Sequence, residues 1–233
     1  YIFYRTFFYY LQSSEDFKKN NLLKKKWALE TLNRLGFDLK VIGHPLESEN
    51  LILVGNHMSY LDIIVLFAVA PNSVFLAKSE VSHWPIIGPA ARKIGTIFVK
   101  RESKESRGKS KLKVEQLLMN PNVQTQIAVF PSGTTTLNEE KPWKKGLFEI
   151  AKSTQTQIQP FRIHYSHPRE CAYIDDDQLF TSLMKLFSIS KKSILFTWGN
   201  SFLPSHVECE IEETRQWTQS QLQSDSFSQF DIT

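Results

Sequence analysis

The 233-residue chain is short of cysteine, of methionine and of long apolar runs. Two cysteines, Cys171 and Cys209, allow at most one bridge, which excludes a module built on disulfides. No stretch of about 18 uninterrupted apolar residues occurs, so the sequence given holds no obvious transmembrane helix. It also lacks internal repeats and low-complexity tracts, and no linker is long enough to divide the core. Acidic residues are scarce in one part only. Residues 1–169 carry 24 Lys/Arg against 14 Asp/Glu, whereas 170–233 carry four against ten, so the formal net charge of +4 averages a basic body and an acidic end. What is abundant is apolar: 41% of residues are hydrophobic and 17 are Phe. That suits one large α/β domain with a substantial core and excludes bulk disorder.

The opening segment, residues 1–21, starts with an aromatic stretch around Arg5 and runs into lysines. It is too short to span a bilayer and is read as a membrane-interface segment. The first residue is Tyr1 rather than Met, so a further segment is expected upstream. From 22 to 217 strands and helices alternate. Helices are predicted at Leu22–Leu35, Leu61–Ala70, Pro89–Ile94, Lys109–Met119, Lys145–Ser153 and from about Glu210. Strands are predicted at Phe37–Ile42, Asn50–Gly55, Ser73–Ala77, Thr96–Val99, Gln126–Phe130, Gln157–His164 and Ser193–Trp198. This order predicts an α/β fold with a mixed, largely parallel sheet flanked by helices. Residues 218–233 read as a polar tail.

Four segments carry chemistry. In Asn56-His57-Met58-Ser59-Tyr60-Leu61-Asp62, a His just past a buried strand and an Asp in the first turn of a helix can fold onto each other. The carboxylate then fixes one ring nitrogen and leaves the other as a base. The bland alternative is a helix-capping Asp and a satisfied turn His. The strand Gly95–Val99 ends in Lys100 and Arg101, two cations that suit a phosphate. Phe130-Pro131-Ser132-Gly133-Thr134-Thr135-Thr136 is a strand exit with backbone N–H groups and hydroxyls to offer an anion. Pro160, in Ile158-Gln159-Pro160-Phe161, fits a strand edge or a wall beside a cleft. All four could converge on one carboxyl edge of the sheet.

In this order and approximate spacing the blocks resemble the glycerolipid acyltransferases typified by 1-acylglycerol-3-phosphate acyltransferase, over roughly Leu35 to Phe202. Asn56, His57 and Asp62 match the family's first block, and Gly95 to Arg101 its second. Phe130 to Thr134 match the third, and Ile158 to Pro160 its proline block. The resemblance implies His57 and Asp62 as the catalytic pair. It implies Asn56, Lys100, Arg101, Ser132, Gly133, Thr134 and Pro160 as substrate-binding positions, with Lys78 a weaker one. Two departures stand out: Ser132 replaces the usual Glu, and Thr135 replaces an Arg that many phosphatidate-forming members carry. They put the acceptor in question, and a Thr-rich third block resembles members that acylate lysophospholipids or amino-acid-derived lipids.

The expected activity is therefore transfer of a fatty acyl group from acyl-CoA or acyl-ACP to the hydroxyl of a lysolipid such as 1-acylglycerol-3-phosphate. No metal or further cofactor is needed, because a thiolate leaves readily. Gly133 is an expected oxyanion donor. A membrane phospholipid surface is the expected partner, on the cytoplasmic face of the inner membrane. The alternatives are a thioester hydrolase using the same pair and a catalytically silent lipid-binding module. Zinc spacing, aromatic RNA-binding signatures and a helix-turn-helix pattern are missing, so nucleic acid is not an expected partner.

Overall fold

A computed structural model of the chain describes residue 12 and residues 17–46, 50–83, 87–100, 103–120, 125–174 and 177–220. Arg101, the aromatic opening 1–11, Trp84, Ile86 and the tail beyond Ser220 lie outside the described residues. The strands are β1 (Phe37–Ile42), β2 (Asn50–Gly55), β3 (Ser73–Lys78), β4 (Ile97–Val99), β5 (Thr125–Val129), β6 (Gln157–Tyr165) and β7 (Lys192–Trp198). The helices are α1 (Phe17–Arg34), α2 (Leu61–Val69), α3 (Ile87–Lys93), α4 (Lys104–Leu118), α5 (Gly146–Thr154), α6 (Pro168–Cys171), α7 (Leu179–Ser188) and α8 (Val207–Ser220). Among the described residues, no helix is long and apolar enough to cross a membrane.

The seven strands form one sheet in the order β1-β7-β6-β2-β5-β3-β4. β4, β3, β5, β2 and β6 run parallel, and β7 joins β6 antiparallel with β1 parallel beyond it. The sheet is thus mixed and largely parallel, as the alternating segments predict. Its central strand β2 is buried on both faces, which is why Leu51-Ile52-Leu53-Val54 reads as one unbroken apolar run. Leu51 and Leu53 pack with α1 and α2, alongside Phe67, Phe161 and Tyr165. Ile52 and Val54 face the other way, onto Val114, Phe148, Ile158 and Ile211 from α4, α5, β6 and α8.

Because five strands share a direction, β2, β3, β4, β5 and β6 all end at one edge. Three of the four sequence blocks meet there: the loops after β2, β4 and β5. The proline block does not. Pro160 is buried inside β6, an interior strand between β2 and β7, rather than at an edge. Between the pairs Phe161↔Trp198 and Ile158↔Phe202, two residues of β6 face three of the partner segment, which makes a bulge. Ile158 N–H points to this side, onto Phe202 O at 2.8 Å. Two residues on, the N–H that proline lacks would have pointed at the bulge, so no regular ladder bond is lost. Gly199, in the bulge, donates its N–H to Pro160 O at 2.8 Å.

Helices α6 and α7 lie in a segment for which the sequence predicts no element. They fill the return from β6 to β7, on the same edge as the loop after β2. Tyr173 N–H donates to Met58 O at 3.0 Å, and the Tyr60 and Tyr173 rings meet edge-on at 5.7 Å. Thr218, where the sequence reading starts a polar tail, is fully buried in α8 and donates to Thr214 O at 2.8 Å.

Candidate active site

The site is built on the Gly55–Asp62 turn. Gly55 is dictated by contact: a Cβ there would sit 2.5 Å from the backbone oxygen of Phe161 on β6. Asn56 follows and extends the β2–β6 pairing with its side chain. Its Nδ2 donates to Ile163 O and its Oδ1 accepts from Ile163 N–H, both at 2.8 Å. Both ends of the buried amide are therefore used within the protein, and Asn56 acts as a strut under His57 rather than as a group that faces substrate.

His57 Nδ1 lies 2.8 Å from Asp62 Oδ2. A carboxylate only accepts, so Nδ1 carries the hydrogen and Nε2 is left as the basic nitrogen. Asp62 is fully buried, whereas the His57 side chain keeps 19% of its exposure. The same Oδ2 accepts the N–H groups of Met58 at 2.7 Å and Ser59 at 2.9 Å. Oδ1 accepts the Tyr165 hydroxyl at 2.6 Å. Four donors thus converge on Asp62, which is what a buried negative group requires. Asp62 is not a helix cap, because the N–H groups it holds belong to the loop before α2. Burial, and then the Asp62 charge beside it, push the Tyr165 phenol well above its ordinary range, so it stays a donor.

The loop after β5 wraps the same histidine. Phe130 stacks on the imidazole with centroids 4.0 Å apart and planes 10° apart. Thr136 N–H donates to His57 O at 2.7 Å, and His57 N–H donates to Glu139 Oε1 at 3.0 Å. Glu139 is 1% exposed, and its Oε2 accepts the Trp143 indole N–H at 2.7 Å. Burial raises the Glu139 pKa against the opposing pull of these two N–H groups.

Other expected site residues fall as follows. Ser132 is buried, and its hydroxyl donates to Thr134 O at 3.0 Å. Gly133 takes the positive φ of 73° that this turn needs, but its N–H already donates to Phe130 O at 3.0 Å. That removes it as the oxyanion donor. The N–H groups of Thr134 and Thr135 have no partner among the described residues and lie just before Thr136. Lys100 is exposed at the end of β4, with its N–H on Ser106 Oγ at 3.0 Å. With β3 and β5 between β4 and β2, Lys100 stands about 14 Å of sheet from the His57 strand, at ~4.8 Å per strand. Lys78 is exposed at the end of neighbouring β3.

No cysteine competes as a nucleophile. Cys171 is buried, and desolvation pushes its thiol up to about 12. Cys209 is exposed on α8, where Glu213 raises its pKa. Ser59 Oγ accepts Leu61 N–H at 3.3 Å and is turned into the helix start. The arrangement is thus a lone imidazole base with a four-donor carboxylate behind it.

The chain is 32% identical over 177 residues to the lyso-ornithine lipid O-acyltransferase of Pseudomonas aeruginosa, covering 74% of this chain and 66% of that protein. It is 32% identical over 127 residues to the 1-acyl-sn-glycerol-3-phosphate acyltransferase of Neisseria gonorrhoeae, covering 53% of this chain and 48% of that one. The chain spans about half to two thirds of the length of the curated relatives it matches. Its fold matches the crystal structure of the 1-acyl-sn-glycerophosphate (LPA) acyltransferase PlsC from Thermotoga maritima. The TM-score is 0.67 at 18% identity, over 100% of this chain and 88% of that one. Residues 38–164 match the family described as Acyltransferase, a span running from β1 through the Gly55–Asp62 turn, the loop after β5 and most of β6, and the chain belongs to that family.

Proposed function

We propose that the protein is an O-acyltransferase that moves a fatty acyl group from a thioester donor to the hydroxyl of a lysolipid. The observation that carries this is the His57–Asp62 pair, with Nε2 as the basic nitrogen and, among the described residues, no activated Ser or Cys beside it. Such a site deprotonates an incoming hydroxyl instead of forming an acyl-enzyme. The acceptor oxygen attacks the thioester carbonyl while its proton passes to Nε2. The C–S bond then breaks, and the thiolate leaves and takes that proton from the imidazolium. Asp62 stabilises the imidazolium in between, as the orienting carboxylate of a hydrolase triad does. The N–H groups of Thr134 and Thr135 serve the oxyanion.

The acceptor of choice is a lyso-ornithine lipid, whose head group is an amino acid and not a phosphate ester. Two observations support this choice. The third block offers Ser132, Thr134 and Thr135, with no charged residue among them. Four relatives, 31–34% identical, are lyso-ornithine lipid O-acyltransferases. Lys78 and Lys100, three and four strands from β6 toward the far edge, meet the rest of a bound substrate and not the reacting hydroxyl. A lipid acceptor also requires contact with a membrane surface, for which the aromatic opening and the exposed lysines of α1, Lys19, Lys25 and Lys26, are the candidate elements.

The test is an acceptor panel with labelled acyl-CoA and, in parallel, labelled acyl carrier protein. Lyso-ornithine lipid, 1-acylglycerol-3-phosphate and lysophosphatidylcholine are compared. The highest kcat/KM is expected with lyso-ornithine lipid. Preference for 1-acylglycerol-3-phosphate would overturn the acceptor assignment. Release of free fatty acid at a rate independent of any acceptor would overturn acyl transfer itself.

A further inference from the structure

We infer that Glu139 is a positioning residue for the catalytic histidine, clasping the His57 main chain so that Nε2 is aimed at the reacting hydroxyl. The inference rests on the reading of His57 as the base. Asp62 holds the imidazole by one ring nitrogen, which fixes its tilt but not the place of its backbone. The loop after β5 supplies that second constraint. Glu139 Oε1 accepts the His57 N–H at 3.0 Å and Thr136 N–H donates to the His57 C=O at 2.7 Å, so both main-chain groups of one residue are gripped from one segment.

The choice of side chain is specific. Glu139 Oε2 accepts a second donor, the Trp143 indole, at 2.7 Å. Two donors from separate segments need a side chain with two acceptor oxygens. Glutamine has one acceptor and one donor, so it would turn an N–H against either His57 or Trp143. Burying a carboxylate at 1% exposure is costly, which a merely space-filling position would avoid. The clasp is anchored from behind by the C-terminal helix α8. The Arg215 guanidinium donates to the Glu139 backbone oxygen and is held in turn by Glu212, at 2.6 and 2.9 Å.

The experiment compares Glu139→Gln, Trp143→Phe and the double variant in the full chain, with kcat and KM read separately for donor and acceptor. Glu139→Gln is expected to lower kcat about 10- to 100-fold with both KM values within about twofold, since a small misplacement of a reacting group carries penalties of that size. Trp143→Phe alone keeps kcat within about threefold, because Oε1 still holds His57. The double variant is expected to recover at least about tenfold over Glu139→Gln, because the amide oxygen can then face His57 and its NH2 no longer meets an indole donor. A role in stability alone would give additive losses of stability and no recovery of kcat, and that result overturns the inference. An acid limb of the pH–kcat profile that moves downward in the double variant supports it, because a negative group near the imidazolium has been neutralised. Wild-type kcat in a folded Glu139→Gln protein, with His57→Ala inactive, overturns the clasp and leaves the base in place. Activity in His57→Ala overturns both.

Discussion

Replacing Tyr165 by Phe removes one oxygen atom and nothing else from the core. That oxygen donates to Asp62 Oδ1 at 2.6 Å, and both groups are fully buried. Phe offers no donor in its place, so Oδ1 loses its hydrogen bond outright. A hydrogen bond to a charged group contributes about 1.5–3 kcal/mol, and an orphaned buried acceptor costs a similar amount. Tyr165→Phe should therefore lower unfolding free energy by about 1.5–3 kcal/mol, read as a lower urea midpoint at unchanged slope. The effect on turnover should be smaller. Asp62 keeps three donors on Oδ2, including His57 itself, so the ring stays oriented. Only the share of the loss that acts on the imidazolium reaches the transition state. At about 1.4 kcal/mol per tenfold, a third to a half of the loss gives roughly three- to tenfold in kcat. The two effects are separated by repeating the substitution in an Asp62→Asn background, where the Tyr165 change should cost less than about 1 kcal/mol. Stability within about 0.5 kcal/mol of wild type in Tyr165→Phe would refute the reasoning.

Lys24 on α1 is buried over the Phe67 ring and donates to Ser73 O at 3.3 Å, and desolvation lowers its pKa from 10.5 to about 7. Between those values the unfolded chain binds a proton that the folded chain releases, so stability should climb as pH rises from about 7 toward 10 and sit at its lower level below 7. Lys24→Met should flatten that rise in denaturation midpoints taken across the range, and an unchanged slope would count against the assignment. Gly55→Ala places a methyl group 2.5 Å from Phe161 O on the paired strand, a clash with backbone that no rotamer relieves. It should destabilise by about 3 kcal/mol or more and reduce soluble yield, and a thermal midpoint equal to wild type would contradict the close approach.

The proposed catalytic turn was legible because it is local. His57 and Asp62 are five residues apart, and the strand and helix that carry them are strongly apolar and strongly periodic. β2 was also plain, since a strand buried on both faces reads as a continuous apolar run. What the sequence hides is pairing across distance. Tyr165 and Asp62 are 103 residues apart, and Glu139 and His57 are 82 apart. Neither partner sits in a recognisable block, and each becomes visible only once the strand order is known. The nearest signal was a Tyr and a Glu in otherwise apolar or loop contexts, a pattern too common to single out. Asn56, Gly133 and Pro160 were read as substrate positions from the resemblance. The first two spend their polar groups on Ile163 and Phe130, and the third lies inside the sheet against a bulge. The sequence reading placed no element at α6 or α7: α6 is a single turn of four residues, whereas α7 is amphipathic over ten residues and did carry a helical signal that went unread.

The most direct measurement is single-turnover transfer from a labelled acyl thioester to a lysolipid acceptor by purified His57→Ala, with folding confirmed by an unchanged denaturation profile. Loss of a general base should lower the rate at least about 100-fold, with product formation no longer dependent on pH near neutrality. Acylated lipid formed at close to the wild-type rate by the folded variant would contradict the account.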